Sequence, residues 1–159
     1  MRSYMSTRIK VAFWCHLLAL LYIAISGPIY LFRSQFMPYH AVAVGKNWAE
    51  VAPAFQILLL ALIRAYGGAL LAVALAMGIF LLIPFRQGIR WARWAVPVVG
   101  LVAQLPALYA TISVTLLTPA TPPWYGVLYV IVLLVAGLIL SLEPEKTTEH
   151  VVGRSGVSE

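Results

Sequence analysis

Few residues in this chain have side chains suited to chemistry, and the one most out of place is Arg64. It lies in the stretch Gln56-Ile-Leu-Leu-Leu-Ala-Leu-Ile-Arg64-Ala-Tyr-Gly67-Gly68, inside an apolar run too long for an ordinary buried helix. A charge at bilayer depth costs roughly 3 to 15 kcal/mol, so it persists only where something pairs with it or water reaches it. The chemistry such a residue offers is recognition of an anion, a lipid phosphate or a carboxylate. No carboxylate occurs within any apolar segment. Glu50 precedes Arg64 by about 14 positions, roughly 20 Å of helix. Arg64 is therefore satisfied by neutral groups, by an anionic ligand, or by an acidic residue on a partner.

Neutral candidates exist. Counting residues from the ends of the apolar runs places Gln104 and Tyr22 near the depth of Arg64, with His16 and Cys15 closer to the N-terminal side. Helical periodicity groups Cys15, Ala19, Tyr22 and Ser26 on one stripe with His16 beside it. It groups Gln56, Leu60, Arg64 and Gly67 on a second, and Gln104, Leu108, Thr111, Thr115 and Thr118 on a third. Turning these stripes inward predicts a ligand site of Arg64, Gln104, Tyr22, Gln56 and His16. Thr and Ser in such helices usually bond to their own backbone. Other chemistry finds little support. His16, His40 and His150 are far apart, Cys15 is the single cysteine, and no cluster has metal-ligand spacing. There is no phosphate-binding glycine loop and no nucleophile elbow, so no cofactor or metal is expected. Acid–base catalysis by His16, or by His40 with Glu50, would need a group within hydrogen-bond reach of the moving proton, which the sequence does not place.

The elements that must position these residues are membrane spans. The chain of 159 residues is 62% hydrophobic and 10% charged. Soluble domains carry about 25% charged residues, so this composition excludes a soluble globular protein. The predicted fold is all-α: a four-transmembrane-helix bundle over residues 1–142, with spans at about 11–31, 55–83, 95–117 and 125–142, then a charged tail at 143–159. The basic start, the apolar core and Ala24-Ile25-Ser26 imitate a secretory signal. His16 inside that core and the apolar run beyond Ser26 favour a retained span. Ser26-Gly27-Pro28 is expected to kink or end the first helix, because Pro removes a donor. Asn47 and Glu50 form a capping-box pattern that predicts the second helix to start near Trp48, with Pro53 bending it. Gly68, Ala72 and Ala76 offer a small-residue face for a second copy or a membrane partner, and the fourth span offers another.

Eight of the eleven Lys and Arg fall in the N-terminal segment, the 85–94 connection and the tail. The positive-inside rule then places both termini in the cytoplasm. Trp91 and Trp94 among Arg86, Arg90 and Arg93 suit an interfacial anchor, so the net charge of +6 points to anionic lipid and away from nucleic acid.

Arg64-x-x-Gly67-Gly68, followed by the basic connection with Arg86, Arg90 and Arg93, resembles small, uncharacterised bacterial four-helix membrane proteins. The resemblance covers the second to fourth spans. It implies the topology and a bacterial inner (plasma) membrane location, and brings no established activity. The expected function is a protein without evident catalysis that binds a lipid-like or small anionic ligand at a buried arginine. The alternative is an accessory or assembly subunit whose arginine is purely structural.

Overall fold

The computed structural model describes residues 6–142, and the charged tail lies outside the described residues. Among the described residues there are five α-helices and no strand: α1 (Thr7–Leu31), α2 (Pro38–Val44), α3 (Pro53–Phe80), α4 (Ala92–Leu117) and α5 (Trp124–Ser141). A 3-10 turn (Trp48–Glu50) precedes α3 and a π turn (Leu81–Phe85) extends it. Four helices are long and apolar enough to cross a membrane: α1, α3 with its π turn, α4 and α5.

Each long helix buries one narrow stripe. In α1 it runs Ala12, His16, Ala19, Ile23, Gly27, and in α5 Gly126, Val130, Leu134, Gly137, Ser141. Spacings of three and four keep each stripe on one helical face. The other faces remain apolar yet exposed, as at Ile25 (63%), Leu75 (66%), Val102 (70%) and Ile139 (63%). Contiguous apolar surface on this scale is what lipid covers in a membrane bundle. Small residues on the buried stripes let backbones approach. At Gly67 the approach is closest: a Cβ there would collide with the Leu31 backbone and lie 2.8 Å from the Gly27 carbonyl oxygen.

The helices alternate in direction. The start of α1 meets the end of α5 and the π turn, since His16 lies against Gly137 and Phe85. Ser141 Oγ donates to Arg93 O at 3.2 Å, which brings the start of α4 to the same end. The opposite end carries α2 and the 3-10 turn.

Three local expectations are corrected. Pro28 does not end α1, which runs on to Leu31 as the expected span does. The missing N–H frees only one carbonyl, and the continuing helix packs against α3 at Gly67. The Asn47–Glu50 capping box is present, with Asn47 N donating to Glu50 Oε2 at 2.8 Å, but it starts the 3-10 turn and not the long helix. That helix begins at Pro53, in the first turn, where an absent N–H has no intrahelical partner to lose.

The third correction concerns depth. Arg64 Nη2 donates to Arg33 O at 3.2 Å, so Arg64 is level with the chain just past the end of α1. About eleven residues of α3, some 16 Å, therefore project beyond α1. Gln56 braces that projection, donating through Nε2 to Trp48 O at 2.7 Å.

Candidate functional site

A cavity of about 420 Å³ opens in the half of the bundle nearer α2. It exists because α1 packs mainly on α3 and α5, while α4 packs mainly on α5 and scarcely meets α1. The α4 wall facing the gap presents Ala103, Ala107 and Ala110, whose small side chains leave the volume unfilled. Tyrosines from three elements form much of the opposite wall: Tyr22 and Tyr30 from α1, Tyr39 from α2 and Tyr66 from α3.

Each polar group on the wall has a traceable origin. Tyr22, Ser26 and Tyr30 are four residues apart on α1, so one face presents all three. Ser26 Oγ donates to Tyr22 O at 2.8 Å and is satisfied within its helix. Thr111 Oγ1 likewise donates to Ala107 O at 2.9 Å. Tyr22 reaches α5 because Gly126 has no side chain, and a Cβ there would collide with the Tyr22 hydroxyl. The Tyr30 and Tyr39 hydroxyls share a hydrogen bond of 3.1 Å, and the Tyr30 and Tyr66 rings meet edge to face at 5.2 Å. Burial pushes the Tyr39 phenol above its ordinary pKa, and the bond to Tyr30 adds to the shift. His40 takes a proton less readily than usual for the same first reason, burial. Its Nδ1 accepts from Met37 N at 3.3 Å, closing the start of α2 as Glu50 closes the 3-10 turn.

Gln104 is different. It lines the cavity at 3% exposure, and its carboxamide makes no hydrogen bond to any described residue. A carboxamide can donate two hydrogen bonds and accept two. Leaving a buried polar group unsatisfied costs about 1–3 kcal/mol. Gln104 is the most buried of the unpartnered polar side chains on this wall, beside the Tyr22 and Tyr66 hydroxyls, which also make no hydrogen bond to a described residue, and no Lys, Arg, Asp or Glu lines the cavity.

Of the five residues predicted from the sequence, Tyr22 and Gln104 meet at this cavity. The other three lie elsewhere. Gln56 bonds to Trp48 in the projecting part of α3. His16 is fully buried in the opposite half, with both ring nitrogens lacking a partner among the described residues. Arg64 is exposed, and its hydrogen bond supplies a cation to the carbonyl end of α1, whose last turn has no basic residue of its own. That end carries a partial negative charge from the aligned peptide dipoles. Tyr39 and Tyr66 are not among the residues expected from the sequence, and His40 is weighed there only as an acid–base partner of Glu50, not as part of this cavity. Tyr66 had a signal: two residues from Arg64, it faces nearly the opposite way on a helix, so an inward Arg64 and an inward Tyr66 exclude each other. His40 and Glu50 are each committed to the N–H three residues earlier, and no hydrogen bond joins them. Among the described residues no group of three His, Cys, Asp or Glu has the geometry to hold a metal ion.

No family model matches the chain, and no curated protein or solved structure shows significant similarity to it.

Proposed function

We propose that this chain is an integral membrane protein, with both termini in the cytoplasm of a bacterium, that binds a lipid-like molecule between its helices without transforming it. The observation that carries this reading is the Gln104 carboxamide, buried and unpaired on the cavity wall. A volume of about 420 Å³ falls within the ordinary range of small-molecule sites, roughly 300–1,000 Å³. The lining selects the chemistry. With no charged residue on the wall, a buried anion would be desolvated without compensation. The ligand of this cavity is therefore uncharged where it meets the protein. A carbonyl or hydroxyl on it pairs with Gln104, and an apolar body lies against Tyr66, Leu70 and Val127. Arg64 serves the end of α1 and is not the anchor of this ligand.

The test is native mass spectrometry of the protein extracted gently from its own membrane, beside Gln104→Leu and the cavity-filling Ala107→Leu. An adduct of defined mass on the parent, at least tenfold depleted in both variants, is expected. A parent protein carrying no adduct, or variants that retain it fully, would refute the reading.

A further inference from the structure

The α2 end carries cationic groups that the cavity does not use. Arg64 spends one N–H on Arg33 O, which leaves four of its five donors free of any described partner. The Arg33 side chain turns to Met37, donating from Nε and Nη2 to its sulfur at 3.1 and 2.7 Å. A thioether is a weak acceptor and brings no negative charge. The one carboxylate among the described residues, Glu50, accepts from Asn47 N. The Arg64 guanidinium thus lies at the backbone carbonyl of Arg33, the Arg33 guanidinium lies at Met37 four residues on, and neither has an acidic partner among the described residues.

Below Arg64 the surface changes character. Gly68, Ala72, Leu75 and Ile79 follow it at intervals that keep them on one face of α3. A Cβ added at Gly68 would meet nothing within 4 Å, and Leu75 and Ile79 are 66% and 47% exposed. This is an open apolar strip, shallow at its top, with a cation at its head.

We propose that Arg33 and Arg64 together bind the phosphate of an anionic phospholipid, whose acyl chain lies along the Gly68–Ile79 strip of α3. The site is separate from the Gln104 cavity and does not depend on it. Arginine forks match phosphate oxygens and form stronger hydrogen bonds with them than neutral donors do. The level also fits. Counted from Val11, where the apolar run of α1 begins, the C-terminal end of that helix lies about 31 Å away along its axis, at the edge of the roughly 30 Å hydrocarbon core and next to the headgroups.

Delipidated protein in detergent is titrated with phosphatidylglycerol, with phosphatidylcholine of the same chains, and with inorganic phosphate, and adducts are counted by native mass spectrometry. The first phosphatidylglycerol is expected to bind at least tenfold more tightly than phosphatidylcholine. Arg33→Gln keeps the carbonyl that Arg64 uses, so it tests the site without removing that bond. It is expected to weaken phosphatidylglycerol tenfold or more, as is Arg64→Gln, while Arg86→Gln at the other end leaves it unchanged. Equal binding of the two lipids, or undiminished binding by Arg33→Gln, overturns the proposal. So does loss in Arg86→Gln alone. Inorganic phosphate that binds as tightly as the lipid would show that the apolar strip contributes nothing. Dimers that Gly68→Leu abolishes would assign the strip to a second copy of the chain.

Discussion

Adjacent glycines offer a sharp test of how α1 and α3 pack. Gly67 and Gly68 belong to one motif and one helix, yet their surroundings differ. A methyl at Gly67 would drive into the Leu31 backbone nitrogen and sit 2.8 Å from Gly27 O, and backbone cannot swing aside as a side chain can. A methyl at Gly68 would meet nothing within 4 Å. Replacing Gly by Ala within a helix gains up to about 1 kcal/mol whatever the neighbours. That gain is common to both variants and cancels in their difference. What remains is overpacking, typically about 1–3 kcal/mol. Because all three nearest atoms are backbone of α1, which cannot swing aside, the upper half of that range is expected. Gly68→Ala should therefore be neutral or slightly stabilising, and Gly67→Ala less stable than it by about 2–3 kcal/mol. Unfolding in mixed micelles of increasing dodecyl sulfate content, followed by circular dichroism, measures the difference. Equal stability of the two variants would refute the packing, and with it the placing of Arg64 beyond the end of α1, since both rest on the same register.

Two further expectations concern the histidines. A methyl at Gly137 would lie 2.5 Å from His16 Cε1, and His16 is fully buried with its ring edge-on to Phe85. Gly137→Ala should cost about 1–3 kcal/mol in the parent and little or nothing in a His16→Ala background. Additive costs in a double-mutant cycle would show that the two residues do not touch. For His40, burial lowers the pKa below the usual 6.5, and neutral Nδ1 accepts from Met37 N–H. A lowered pKa contributes stability that is complete above about pH 6.5 and is lost as pH falls through the lower folded value. Protection of the amides of residues 37–44 against hydrogen exchange, corrected for intrinsic rates, should fall between pH 7.5 and pH 5. His40→Gln, which retains an acceptor, should lose that dependence. A parent whose protection does not change with pH would contradict the bond.

Much of the architecture follows from local properties. Composition and the length of the apolar runs specify four helices long and apolar enough to cross a membrane. The ends of α4 and α5 follow from Pro and charge punctuation. The Asn47–Glu50 box was readable, because a cap depends on residues three apart. Tyr22, Ser26 and Gln104 emerged from periodicity as inward polar positions, and all three line the cavity.

What the sequence left open was rotation and register between helices. An apolar helix in lipid has no hydrophilic side to mark its outer face, so periodicity offers several inward stripes of similar merit. Depth counted from the start of the apolar run places Arg64 near mid-bilayer. Contacts between α1 and α3 slide that run outward by about three turns and expose Arg64 at the end of α1. The same rotation turns Tyr66 inward, brings Tyr39 and His40 over the gap, and leaves Gln104 without a partner. The sequence alone determined that the described residues form an all-α bundle with four helices long and apolar enough to cross a membrane, and a few polar side chains among them. Only the tertiary structure decided which of those side chains share a cavity, because the match of Gly67 to the backbone of α1, a contact between residues distant in the chain, sets how the helices align.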